Sequence, residues 1–185
     1  MQQDEFLVSL VERLAACGIP YMTAGSFGSA FHGEPRATND VDIVIDPTAE
    51  QIEEFIGRLD PNYYVDRKTA VDAVARRSKF NVIDTLSGWK ADLIIRKSRP
   101  FSREEFSRRA TADVAGHEVF ILSPEDAILS KLEWAKKGDS ERQLNDVETI
   151  LREQCGKLDI HYLQKWAREL AVDGQLNELL ERQSD

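Results

Sequence analysis

The feature that most constrains this chain is a pair of acids inside an apolar run, Asp40-Val41-Asp42-Ile43-Val44-Ile45. Segment 41–46 reads as a strand, and acids are depleted in strands, so two of them among Val and Ile ask for a reason. Alternate side chains on a strand share a face, which puts Asp40 and Asp42 on one side, roughly 6 to 7 Å apart. Two carboxylates on one face suit a hard cation. Mg2+ takes one or two carboxylates together with substrate phosphates, so the pair is half a site that awaits a nucleotide. The other half lies upstream, where Gly25-Ser26 follows the short apolar segment 21–24. If a strand ends and a helix begins there, backbone N–H groups and the Ser26 hydroxyl make a cradle for phosphate.

The rest of the chain builds a frame around this stretch. A helix is expected over 4–17, with Phe6, Leu7, Leu10, Val11 and Leu14 on one stripe and Gly18 and Pro20 as its stop. Segment 33–39 reads as a loop holding Pro35, Arg36 and Thr38, where Arg36 is either a brace for the acids or a surface residue. A helix follows over 49–59 and a short strand over 63–65; 69–75 is a short helix or a loop. Strands over 80–86 and 91–96 join around Ser87-Gly88 as a hairpin. A charged helix over 102–109, a loop over 111–116 and a strand over 117–122 close this α/β region. From Ser123 the pattern is purely helical. Ser123-Pro124-Glu125-Asp126 is a strong helix start, and helices are expected over 123–137, 141–154, 160–170 and 175–182. The fold class expected is α/β (α+β), a small mixed sheet with flanking helices over 1–122, followed by an all-helical region, 123–185, packed on it.

Gly25, Ser26, Asp40 and Asp42 carry a resemblance to the polymerase-beta-type nucleotidyltransferase superfamily, and the surrounding His32-Gly33, Pro35-Arg36 and Thr38 resemble its bacterial AbiEii-like, type IV toxin–antitoxin branch. The resemblance implies transfer of a nucleoside monophosphate from an NTP to an acceptor hydroxyl, with pyrophosphate leaving and Mg2+, or Mn2+ in its place, as cofactor. It also implies a third carboxylate beside the first pair. Asp92 in KADLII is similar to that position, with Asp84 as its rival near the hairpin end. The implied catalytic and metal-binding set is Asp40, Asp42 and Asp92. The helical segments SPEDAILSKLEW and RQLNDVETIL resemble the branch's C-terminal helices, which contribute a lysine and an aspartate to the cleft; these map to Lys131 and Asp146. With Gly25, Ser26, Arg36 and Thr38 they make up the implied nucleotide-binding set. The residues alone leave Asp146 free to pair with Arg142, four positions back. They also leave Phe27 either stacked on a base or filling the core, and His32 more structural than catalytic.

Charge and composition narrow the partners. The net charge of −9 excludes a protein coated in nucleic acid, yet half of the 24 Lys and Arg residues fall in 67–109, against five acids. A basic strip beside a metal site suits a triphosphate or an RNA backbone; the plainer alternative is a solvated surface. No apolar stretch approaches the roughly 20 residues of a membrane span, and MQQDEFL lacks the layout of a signal peptide, so no membrane partner and a cytoplasmic location are expected. Cys17 and Cys155 have no partner at metal spacing and are assigned no chemistry. The acceptor classes carried forward are RNA, tRNA or a protein in a toxin-like setting. The alternatives are a silent nucleotide-sensing or antitoxin-like module and a small-molecule, aminoglycoside-type transferase. The C-terminal helices are the candidate surface for a partner protein or a homodimer.

Overall fold

The computed structural model describes residues 1–34, 38, 40–138 and 140–183. Among these, α1 is Gln3–Ala16, β1 Tyr21–Ala24, α2 Gly25–Ala30, β2 Asp40–Ile45, α3 Ala49–Gly57, β3 Tyr63–Tyr64, α4 Arg67–Arg76, β4 Lys79–Asp84 and β5 Lys90–Ile95. There follow α5 Pro100–Ser107, β6 Ala110–Val114, β7 His117–Ile121, α6 Pro124–Ala135, α7 Ser140–Glu153, α8 Ile160–Leu170 and α9 Asp173–Arg182. The strands form one mixed sheet in the order β3-β4-β5-β2-β1-β7-β6. β2 lies at its centre, antiparallel to β1 and parallel to β5.

Strand alternation sorts β2 between two layers. Val41, Ile43 and Ile45 point into a core shared with Ala91, Leu93 and Ile95 of β5 and with Phe6, Leu10 and Leu14 of α1 and Ile52 and Phe55 of α3. Asp40, Asp42 and Val44 face the other way. That second face is covered in part by the C-terminal helices. Met22 and Leu122 sit in one apolar cluster with Ile128, Leu129 and Leu132 of α6, Ile150 and Leu151 of α7, and Leu163 and Trp166 of α8. Burying a side chain of this size contributes about 1.5–3 kcal/mol, and three from α6 alone are fully buried, so the helices are bound to the sheet and not an appendage. The expected start of the helical region is seen at Pro124, where the Ser123 hydroxyl accepts from the Asp126 N–H as an N-cap.

One expectation fails. The loop expected over 111–116 is strand β6, paired antiparallel with β7 through a two-residue turn at Ala115-Gly116. Both turn residues have positive φ, 52° and 85°, which suits the right-handed twist of a tight hairpin. The strand escapes a pattern-based reading because Ala110-Thr111-Ala112-Asp113 has little apolar alternation; β7 and the turn impose its conformation. Segment 69–75, left open between helix and loop, is part of α4, capped by Asp66 accepting from the Thr69 N–H.

Candidate active site

Three carboxylates come to one face of adjacent strands. β2 and β5 run parallel with Asp42 level with Asp92 and Asp40 level with Lys90. Asp84 lies on the opposite face of β4 from Asn81, which is level with Asp92. Its carboxylate is spent on the hairpin, accepting from the Asn62 side chain, from the Leu86 and Ser87 N–H groups and from the Ser87 hydroxyl. Of the two rival acids, Asp92 is therefore the one beside the pair.

Gly25 and Asp42 meet at close quarters. β1 ends at Ala24, level with Asp42, and Gly25 turns the chain into α2 with φ +60°. A Cβ at this position would fall 1.9 Å from Asp42 Oδ2. Only glycine fits, for its conformation and for the space. Ser26 then opens α2 at the rim of a cleft. Thr38 stands just before β2; its hydroxyl donates to the Asp40 carbonyl at 3.0 Å. Arg36 lies outside the described residues.

The electrostatics of the three acids differ. Burial, and next the neighbouring Asp92 charge, push Asp42 above the usual carboxylate range. Burial works the same way on Asp92, but two ammonium groups overcome it and hold it below that range. Lys79 Nζ lies 2.5 Å from Asp92 Oδ2, and the Asn81 amide donates to Oδ1 at 2.5 Å. Lys90 Nζ bridges the acids, 3.1 Å from Asp40 and 3.3 Å from Asp92. Lys79 and Lys90 escaped the sequence reading except as part of a basic strip. The signal was present: Lys90 and Asp92 are two apart on one strand and must share a face.

Among the described residues no group of three or more His, Cys, Asp or Glu side chains is gathered closely enough to hold a metal ion as placed. The donor set nonetheless fits a hard divalent cation. It is all oxygen, it lies on one face of register-matched strands, and Gly25 leaves the Asp42 carboxylate uncovered on the cradle side. Asp40, Asp42 and Asp92 would hold the ion, Asp92 by giving up lysine contacts.

The cleft runs from Gly25, Ser26 and Asp42 along Val44 and Ile94 to Arg96, Arg99 and Trp134, with a volume of about 260 Å3. Lys131 lines it from α6 and pairs with Asp146 of α7 at 2.6 Å. Asp146 thus joins Lys131 and not Arg142. It lines a second, smaller pocket with Ser26, Ser29 and Asn145. The Lys131–Asp146 pair therefore stands between the two cavities, and Ser26 and Ser29 belong to both. His32 is structural: it is buried, donates from Nε2 to the Leu122 carbonyl at 2.7 Å, and burial lowers its pKa. Phe27 packs on the sheet core and against Phe31 at 5.7 Å.

The fold assembled in this way is that of nucleotidyltransferase-like proteins. A nucleotidyltransferase-like antigenic protein from Paracoccidioides brasiliensis superposes with a TM-score of 0.64 at 14% identity, over 96% of this chain and 91% of that one. ANT(2")-Ia in complex with adenylyl-2"-tobramycin gives 0.61 at 12% identity, over 91% and 98%. The lincomycin-bound lincosamide adenylyltransferase LnuA gives 0.55 at 12%, over 81% and 96%. No family model matches the sequence, and no curated protein matches it. Among the described residues no helix is long and apolar enough to cross a membrane.

Proposed function

We propose that the chain is a metal-dependent nucleotidyltransferase. The observation that carries the reading is the level pairing of Asp42 with Asp92 on one sheet face, with Asp40 beside them and the Gly25-Ser26 turn against Asp42, in a fold of this class. Bound Mg2+ or Mn2+ would supply neutralisation of the triphosphate and activation of the acceptor. The chain's own residues do the rest. The turn at Gly25-Ser26 holds phosphate oxygens, and Lys131 offsets the charge of the leaving pyrophosphate. Asp92, on giving up its lysine contacts, would take the acceptor proton as the hydroxyl oxygen bonds to the α-phosphorus and the α–β bridge breaks, releasing pyrophosphate.

Within this reading the acceptor is RNA, tRNA or protein in a toxin-like, AbiEii-related cytoplasmic setting. The basic lining of Arg96, Lys97, Arg99, Lys131 and Lys137 supports an anionic partner. A small-molecule acceptor is the competing version, and the antibiotic-modifying proteins of the same fold keep it open. A second reading, a silent nucleotide-sensing or antitoxin-like module, is favoured by the clamp of Lys79 and Lys90 on Asp92.

The deciding experiment offers each α-labelled NTP with Mg2+, total RNA and lysate to wild type and to Asp42→Ala. Label on an acceptor that disappears in the variant is expected, and it identifies acceptor and base together. NTP binding without transfer moves the chain to the silent module. Neither binding nor transfer overturns the site.

A further inference from the structure

Beyond Lys131 the cleft holds groups that phosphate transfer does not use. α6 turns Ala127, Ser130, Lys131 and Trp134 towards it, a stripe at helical spacing. Trp134 is 61% exposed, the largest exposed ring of the helical region, and the Lys137 ammonium lies 5.2 Å from its centre. Opposite, Glu105 of α5 accepts from the Ser130 hydroxyl at 2.6 Å. The same cleft is lined by Arg99, which holds Glu133 with two bonds of 2.5 and 2.6 Å and donates to the Ser102 hydroxyl at 2.9 Å.

We propose that this end of the cleft, formed by Trp134, Glu105 and Ser130, is the subsite for the nucleobase of the donor NTP. The inference rests on the nucleotidyltransferase reading and deepens it. Phosphates held at Gly25, Ser26 and Lys131 point the nucleoside along the cleft, and Trp134 follows Lys131 by three residues, about 4.5 Å of helix rise. An exposed indole offers a face on which any base stacks. The Glu105 carboxyl has one oxygen committed to Ser130, leaving the other to accept from a ring N–H or an exocyclic amine, which is how the site would choose among bases. Burial pushes Glu105 up to about 7, so near neutrality it also exists as a donor.

The test is calorimetry of the full chain with Mg2+, using the four NTPs and inorganic tripolyphosphate as probes. Trp134→Ala should weaken every NTP by roughly tenfold and leave tripolyphosphate unchanged, with Trp134→Phe recovering most of the loss. Glu105→Gln should change the order of the four NTPs. NTP affinities unchanged in Trp134→Ala, or tripolyphosphate falling by the same factor, overturns the subsite. Wild type binding NTPs no better than tripolyphosphate overturns it too and leaves the transferase reading standing; wild type binding neither probe overturns both.

Discussion

Gly25 lies so close to Asp42 that a methyl group added to its Cα would sit 1.9 Å from Oδ2. Gly25→Ala must therefore strain a left-handed backbone, at about 1–2 kcal/mol, and displace the carboxylate as well. Transfer should fall by about a hundredfold or more, since misplacement by an ångström has that effect. The melting temperature should drop by about 2–4 °C per kcal/mol lost. Pyrophosphate release and calorimetry check both; an active variant of unchanged stability would remove the close approach from the account.

Burial, and next the Asp92 charge, raise the Asp42 pKa above the usual carboxylate range. A carboxyl whose folded pKa is raised binds protons better in the folded state, so stability falls as pH rises past its unfolded value, near 4. Asp42→Asn should thus melt above wild type at pH 7 without divalent metal, the difference closing in acid. Added Mg2+ should raise the melting temperature of wild type and leave that of the variant unmoved. A variant less stable than wild type at pH 7 contradicts the sign.

Glu105 extends the same argument to a different window. Its pKa is raised from 4.5 to about 7, chiefly by burial. The destabilisation sets in above about 4.5 and is complete above about 7, reaching at most about 3 kcal/mol because the carboxyl is partly open to the cleft. Urea titrations at pH 5 and pH 8 should show wild type losing stability between the two and Glu105→Gln losing much less. Equal losses in both proteins would be the contrary result.

Lys131 and Asp146, with side chains 7% and 19% exposed, are 2.6 Å apart. Lys131→Met or Asp146→Asn alone breaks a largely buried ion pair and should cost about 2 kcal/mol. A double-mutant cycle should return a coupling of about 1 kcal/mol or more, and nucleotide affinity should fall in each single variant. Additive effects would place the two residues in separate roles.

Lys90 separates an active site from a silent one. If an incoming ion must displace its ammonium from Asp40 and Asp92, Lys90→Met should bind Mn2+ severalfold more tightly by electron paramagnetic resonance. Weaker binding would make the lysine a support for the carboxylates and not a competitor.

Much of the frame was legible in the sequence because local rules and tertiary structure agree there. The Asp-Val-Asp alternation, the Gly25-Ser26 break and the Ser123 cap each follow from one residue's chemistry, and each stands where expected. β6 was missed because its conformation comes from a partner strand and a left-handed turn at Ala115, a position that gives no glycine signal. The Lys79–Asp92 contact and the Trp134–Glu105 end of the cleft were missed for another reason. Lys79 and Asp92 are thirteen residues apart and meet only through the register of β4 with β5; Glu105 and Ser130 meet only because α5 and α6 pack together. Pairings of this kind have no period to read.

The clamp on Asp92 has a consequence for how the protein is made. Three acids on one sheet face repel one another, at a cost to the folded state that a bound cation would relieve. Here Lys79 and Lys90 act as tethered counter-ions to Asp40 and Asp92, so part of that repulsion is offset from within the chain. The chain should therefore still unfold cooperatively in a chelating buffer.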